Sequence, residues 1–207
     1  IVMSQDQFFV GTRPLGMGGA FIAVADDGNT ITWNPAGLPR LRRKEFTSSY
    51  ADLYAMSITH SYAGVVWPFG DRIAIGFDWS NIGFDDQELN YSENKLNFSL
   101  GYQPFKMLSI GGTFKYLSRD MGLDGTSYGK TAGIGYDIGL LFSPFKTIRF
   151  GMGVYDLGGT DVTYKQNKVD ETILGQAFKL GIAYFPSVRP SIGKWASVQT
   201  GDCLFPY

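Results

Sequence analysis

The chain has 207 residues, with 18 Lys+Arg against 19 Asp+Glu and a net charge of -1. That balance supplies no field to draw in nucleic acid. The single cysteine (Cys203) excludes a disulfide framework or multi-cysteine metal centre, and the single histidine (His60) argues against histidine-based metal or triad chemistry. No apolar run approaches the ~18 residues of a membrane-spanning helix. That excludes a helical membrane protein but not a membrane barrel, whose strands are short and only half apolar.

Residues 1–43 do not alternate and read as a separate N-terminal unit. Gly16, Gly18, Gly19 and Ala20 suggest close backbone packing. The adjacent Asp26 and Asp27 offer oxygen ligands, but the spacing of a calcium loop is missing, so turn or cap chemistry is the plainer reading. Asn29 or Thr30 would cap a short helix through Trp33, and Asn34-Pro35 would begin a turn. Arg40, Arg42, Arg43 and Lys44 follow, placed either to meet phosphate head groups or to hold the segment by salt bridges. A compact, small-residue segment ahead of a barrel is what a plug inside its lumen needs.

Period-two patterning then predicts eight strands, over roughly 45–51, 57–67, 72–81, 95–103, 107–118, 131–143, 147–157 and 174–185. In "KLNFSLGYQ", Leu96, Phe98, Leu100 and Tyr102 alternate with Lys95, Asn97, Ser99, Gly101 and Gln103. "TAGIGYDIGLLFS" and "GQAFKLGIAYF" repeat the pattern, so one face is apolar and the other polar. Several strands reach ten residues or more, against a usual five to six or so, and a tilted transmembrane strand takes about 9–11.

The connections form an internal repeat. "WPFGD", "QPFKM", "SPFKT" and "YFPSV" recur at Pro68, Pro104, Pro144 and Pro186, at spacings of 36, 40 and 42 residues. Each marks a tight turn where proline ends a strand. Between them lie "NIGFDDQELNYSEN", "SRDMGLDGTSYGK" and "GGTDVTYKQNKVDET", which read as long polar loops. Short turns on one side and long loops on the other is the asymmetry of an outer-membrane barrel.

A soluble sandwich also alternates, but its polar face would be rich in Lys, Glu and Arg. Here that face is mostly Gly, Ser, Thr, Asn and Ala, with Asp78, Lys115, Asp137, Arg149 and Lys179 on the polar parity of their strands. In a barrel these five charges line the lumen, as structural ion pairs or as partners of the N-terminal segment. His60 reads as a hydrogen-bonded strand residue. Asp85, Asp86 and Glu88 read as a solvated loop. "DGTSYGKT" (124–131) lacks both the first glycine and the following helix of a phosphate loop. No nucleophile sits beside a base, and no carboxylate pair is brought together, so no enzyme activity and no cofactor are expected.

The stretch Leu15-Gly16-Met17-Gly18-Gly19-Ala20-Phe21, followed by Ala25-Asp26-Asp27 and Trp33-Asn34-Pro35-Ala36-Gly37-Leu38, resembles the N-terminal signature of PorV/PorQ-like outer-membrane proteins, relatives of FadL-type transporters. "GYDIGLLFSPFKTIRFGMGVYDLGG" (135–159) resembles a mid-barrel hairpin of the same family. The resemblance covers about residues 1–186. It implies an all-β, transmembrane outer-membrane β-barrel of fourteen strands, about eight of them present here, with an N-terminal hatch in the lumen. Residues 1–43 would be the hatch, with Asn34-Pro35-Ala36 a turn that seats it, and residues 44–186 the barrel strands. Residues 187–207, where alternation stops, would be an aberrant or truncated tail. Eight strands alone enclose an interior just wide enough for side chains, and lipid-facing open edges are costly, so part of the barrel is expected to lie outside this sequence.

The function implied first is a channel or cargo-binding component of a type IX-like protein secretion system in the bacterial outer membrane. Its partners would be outer-membrane lipid and secretion-system components or cargo signal domains. The second is FadL-like passage of fatty acids or other hydrophobic small molecules, and the third a soluble β structural or adhesion module. Nucleic acid is not an expected partner.

Overall fold

Valine, isoleucine and aromatic residues at every second position favour extended chain, and they build an antiparallel meander. The computed structural model describes residues 10–53, 58–85, 89–123, 126–163 and 171–186. Its main sheet contains β1 (Glu45–Leu53), β2 (Ile58–Phe69), β3 (Ile73–Asp85), β4 (Leu89–Phe105), β5 (Leu108–Leu123), β6 (Thr126–Phe145), β7 (Ile148–Tyr155) and β10 (Ala177–Tyr184). Each strand lies beside its chain neighbour, and β10 follows β7. Between those two, β8 (Thr160–Thr163) and β9 (Glu171–Leu174) pair as a separate small hairpin. The eight strands form a half-barrel with β1 and β10 at its edges. An open sheet has room against its inner face for a segment that a closed eight-stranded barrel could not hold.

The strands exceed their predicted lengths. β4, β5 and β6 have 17, 16 and 20 residues. Most of "NIGFDDQELNYSEN" and "SRDMGLDGTSYGK", expected as loops, continues the ladders as far as Asp85 and Leu123 and resumes at Leu89 and Thr126. The outward face turns polar here, at Asn81, Ser92 and Asn94, while Ile82, Phe84, Tyr91 and Met121 move to the inward parity, and this switch breaks the pattern that marked the strands. Backbone pairing continues through the switch, supported by cross-strand contacts such as Arg119 Nε to Glu93 Oε2 at 2.6 Å. The third expected loop likewise contains the β8–β9 hairpin. Residues 86–88, 124–125 and 187–207, with Cys203, lie outside the described residues, as do residues 1–9 of the N-terminal unit.

Proline does not end the strands where expected. Pro68, Pro104 and Pro144 lie one residue inside β2, β4 and β6, which run on to Phe69, Phe105 and Phe145. Register shifts between Tyr102 and Phe105, and between Phe142 and Phe145, absorb the missing N–H of Pro104 and Pro144. The residue before each later proline ties the repeat together. Gln103 N–H donates to the Arg72 carbonyl at 2.8 Å, Ser143 N–H to Met107 at 2.7 Å, and Phe185 N–H to Thr147 at 2.7 Å. Each tight turn is thus bonded to the strand that returns to the next one.

The sheet's two faces are inverted relative to a water-soluble protein. Asp78, Ser80, Lys95, Asn97, Ser99, Thr113, Lys115, Thr131, Asp137 and Lys179 are buried. Phe77, Trp79, Phe98, Leu100, Phe114, Tyr136, Ile138, Leu180 and Ile182 are exposed, with Phe98 at 50%. Register makes the apolar face continuous: Phe77, Phe98, Phe114 and Tyr136 lie opposite one another across β3 to β6. A monomer in water rarely exposes an apolar patch of this extent, whereas a barrel wall in hydrocarbon must. The soluble-module reading is therefore set aside.

A charge at the centre of this face should be costly. Phe98→Arg is expected to destabilise the bilayer-inserted protein by about 2–4 kcal/mol, read as a lower urea midpoint for the heat-modifiable folded band. Unchanged stability would place this face in water.

Candidate functional site: the inner wall and its N-terminal segment

Residues 10–41 pack against the polar face. They form two short helices, α1 (Thr12–Gly16) and α2 (Thr30–Trp33), and a 3-10 helix over Pro35–Arg40. Asn34 caps the 3-10 helix: its side-chain oxygen accepts from Ala36 N–H at 3.1 Å, and Pro35 follows at the first helical position, where no N–H is needed. The Asn34 amide also donates to the Ile22 carbonyl at 2.8 Å and to the Leu140 carbonyl of β6 at 3.3 Å. This one side chain therefore joins the segment's turn, its own N-terminal half and the wall. Trp33 donates from Nε1 to the Val10 carbonyl at 3.0 Å and stacks edge-on against Phe21 at 6.3 Å.

Glycines in the wall make room for it. Gly101, Gly111, Gly139 and Gly153 lie directly opposite one another across β4, β5, β6 and β7. A Cβ on Gly111 would overlap the backbone of Pro35 and Ala36, one on Gly139 the Asn34 side chain, and one on Gly101 Pro39 and Pro35. These three form a trough holding residues 34–39, and a Cβ on Gly153 would meet Ile22 and Tyr155. Close packing was expected instead from Gly16 and Gly18, and this is corrected: a Cβ on either would meet nothing within 4 Å. Gly18 and Gly19 serve as turn residues with φ of 63° and 81°.

The five predicted lumen charges all lie on the inner face, but they form different clusters. Asp78, 0% exposed, accepts from Thr32 Oγ1 of the segment at 2.9 Å and from Asn97 Nδ2 at 2.8 Å. Arg149 donates to the Val24 carbonyl. Lys179 Nζ lies 5.1 Å from the Trp33 ring centre and 5.5 Å from that of Tyr155, whose hydroxyl donates to the Trp33 carbonyl. Lys115 and Asp137 join a different cluster. Lys115 Nζ lies 2.8 Å from Asp137 Oδ1 and 2.6 Å from Asp156 Oδ1, and Asp156 also accepts from Thr160 at 2.8 Å.

Strand parity would send Asp156 to the apolar face, so the sequence did not reveal it. Its φ of 51° turns the chain after β7 and brings the carboxylate inward, a conformation aspartate tolerates better than most residues. The signal available in the sequence was its place just before Gly158-Gly159.

Asp26 and Asp27 form turn and ion-pair contacts. Arg13 Nη1 lies 2.6 Å from Asp26 and 2.7 Å from Asp27, and Asp27 Oδ1 accepts from Asn29 N–H at 2.9 Å. Burial works against the Arg13 charge, but the two carboxylates outweigh it and raise its pKa above the ordinary value. Among the described residues no cluster of His, Cys, Asp or Glu is spaced to hold a metal ion. Arg40 binds the Ser143 hydroxyl and Arg42 binds Asp71 at 2.8 Å, while Lys44 Nζ lies 3.4 Å over the Trp67 ring.

Two apolar clusters complete the interface. Phe21, Ala23, Val24, Trp33 and Ala36 meet Leu141 and Ala183 of the wall, and Ile31, Leu38 and Leu41 meet Val66 and Ala74.

Two substitutions check this interface. Gly111→Val should displace residues 34–39 and open the bond after Arg40 to trypsin while leaving the β-sheet circular dichroism unchanged. Lys115→Met leaves two buried carboxylates without their cation and should cost about 3–5 kcal/mol. The Lys115→Met/Asp137→Asn pair should recover part of that loss.

No protein-family model and no curated protein matches this sequence. The fold is similar to the solved structure of CymD, a monoaromatic hydrocarbon channel, with a TM-score of 0.68 at 14% sequence identity. The similarity covers 88% of this chain and 66% of that chain. The chain is an all-β antiparallel half-barrel with the fold of an outer-membrane barrel.

Proposed function

We propose that the protein is a channel of the bacterial outer membrane that passes hydrophobic small molecules, with residues 1–43 as its hatch and 44–186 as barrel wall. The observation that carries this reading is the apolar seam between segment and wall. Phe21, Val24, Trp33 and Ala36 face Leu141 and Ala183, and Ile31, Leu38 and Leu41 face Val66 and Ala74, within a lumen face that also carries many buried polar groups. An apolar solute can replace side-chain contacts along such a seam, whereas an ion or sugar would leave its polar groups unpaired. The likeness to a hydrocarbon channel supports the same reading. Asp78 with Thr32, and Asn34 in the glycine trough, would set how readily the segment parts from the wall.

The secretion reading has its own support. The motif over residues 15–38 resembles PorV-type proteins, and β3 to β6 run past the apolar band into a polar surface suited to a large partner.

Cells carrying the protein in their outer membrane should take up labelled toluene and labelled long-chain fatty acid several-fold faster than cells without it. A secretion cargo's C-terminal domain should not be captured by the purified protein. Capture of that domain without faster uptake would replace the channel with the secretion component.

A further inference from the structure

The tight-turn end of the sheet contains a cavity of about 370 Å³. Four cations line it: Arg40, Arg149, Lys106 and Lys146. Among the described residues none of the four forms an ion pair. Arg40 spends Nη1 and Nη2 on the neutral hydroxyl of Ser143, at 3.2 and 3.0 Å. Arg149 donates to a carbonyl and lies 4.8 Å over the Phe185 ring, and its Nε is buried with no hydrogen-bond partner. Asp26, the carboxylate whose field reaches both arginines, is bonded to Arg13 at 2.6 Å.

The surroundings share this sign. Arg42, Arg43 and Lys44 lead into β1 at the same end, and Arg72 sits in the β2–β3 turn beside Asp71, which Arg42 holds at 2.8 Å. A chain of net charge -1 therefore concentrates cations at one end. Phe105 and Phe145, 66% and 67% exposed, stand at the cavity mouth where the apolar face meets the turns. Aromatic residues at that level mark the boundary between hydrocarbon and head groups.

We propose that this cavity binds the phosphate of an anionic phospholipid from the leaflet that meets the tight turns. The guanidinium forks of Arg40 and Arg149 match phosphate oxygens. Lys106 and Lys146 flank the head group as point charges. The acyl chains leave past Phe105 and Phe145 onto the apolar face. This site depends on the membrane orientation of the fold and not on what the lumen carries.

Native mass spectrometry of the protein purified from its membrane tests the proposal. It should retain added phosphatidylglycerol at least tenfold better than phosphatidylcholine of the same chains. Lys106→Gln/Lys146→Gln alters two exposed side chains without touching the packed interface. It should weaken phosphatidylglycerol retention by about one order of magnitude, and Arg40→Gln should do the same in protein that keeps its heat-modifiable band. Equal retention of the two lipids, or retention unchanged in the lysine variant, overturns the proposal. Displacement of the lipid by millimolar inorganic phosphate also overturns it, since the site would then take a free anion.

Discussion

A barrel wall in hydrocarbon has to turn its apolar side chains outward, and alternation then sends every other residue inward. The rest of this structure follows from what the inward positions carry. Most are polar or small, and residues 10–41 pack against many of them. Buried polar groups without partners are costly, so the segment has to supply hydrogen bonds as well as volume. It does so through Thr32 to Asp78, the Asn34 amide to Leu140, and the carbonyls of Val24 and Trp33 to Arg149 and Tyr155.

Shape matters as much as polarity. Gly101, Gly111 and Gly139, aligned across β4 to β6, remove the side chains that would hold residues 34–39 away from the wall. Pro35 and the Asn34 cap stiffen the piece of chain that lies there. A stiff turn in a smooth trough fixes the segment's register with few specific bonds. The apolar seam around Trp33 and the second cluster around Leu38 then close the two sides. Neither cluster is large, so the segment is held by many modest contacts rather than by one deep core.

The two ends of the sheet differ in construction. At one end, two- or three-residue turns are laced together by the bonds before each proline and carry an excess of cations. At the other, β3 to β6 extend as paired strands with a polar outer face, and with ion pairs such as Arg119–Glu93 and Lys130–Asp120. The buried Lys115–Asp137–Asp156 cluster joins the wall to the chain leaving β7. The charged side chains that couple wall to segment are Asp78, Arg149 and Lys179, beside the Asn34–Leu140, Arg40–Ser143 and Tyr155–Trp33 bonds.

Much of this was legible in the sequence because alternation is a local property. Leu96 to Tyr102 against Lys95 to Gln103 is enough to assign faces, and the inward parity of Asp78, Lys115, Asp137, Arg149 and Lys179 follows without knowing any neighbour. The proline repeat located the turns for the same reason. Three features required the tertiary structure. The glycine trough depends on the register between strands, which places Gly101 beside Gly111, Gly111 beside Gly139 and Gly139 beside Gly153 although they are far apart in sequence. The extensions of β3 to β5 move their apolar residues to the opposite parity, at Ile82, Phe84, Tyr91 and Met121, so only their pairing joins them to the strands before. Asp156 contradicts its own parity because a left-handed backbone at one residue reverses the side chain's direction. Sequence alone determined which way each strand faces, since that is set by the chain's own period of two; the tertiary structure decided what each inward group meets, since that is set by register and by a single turn.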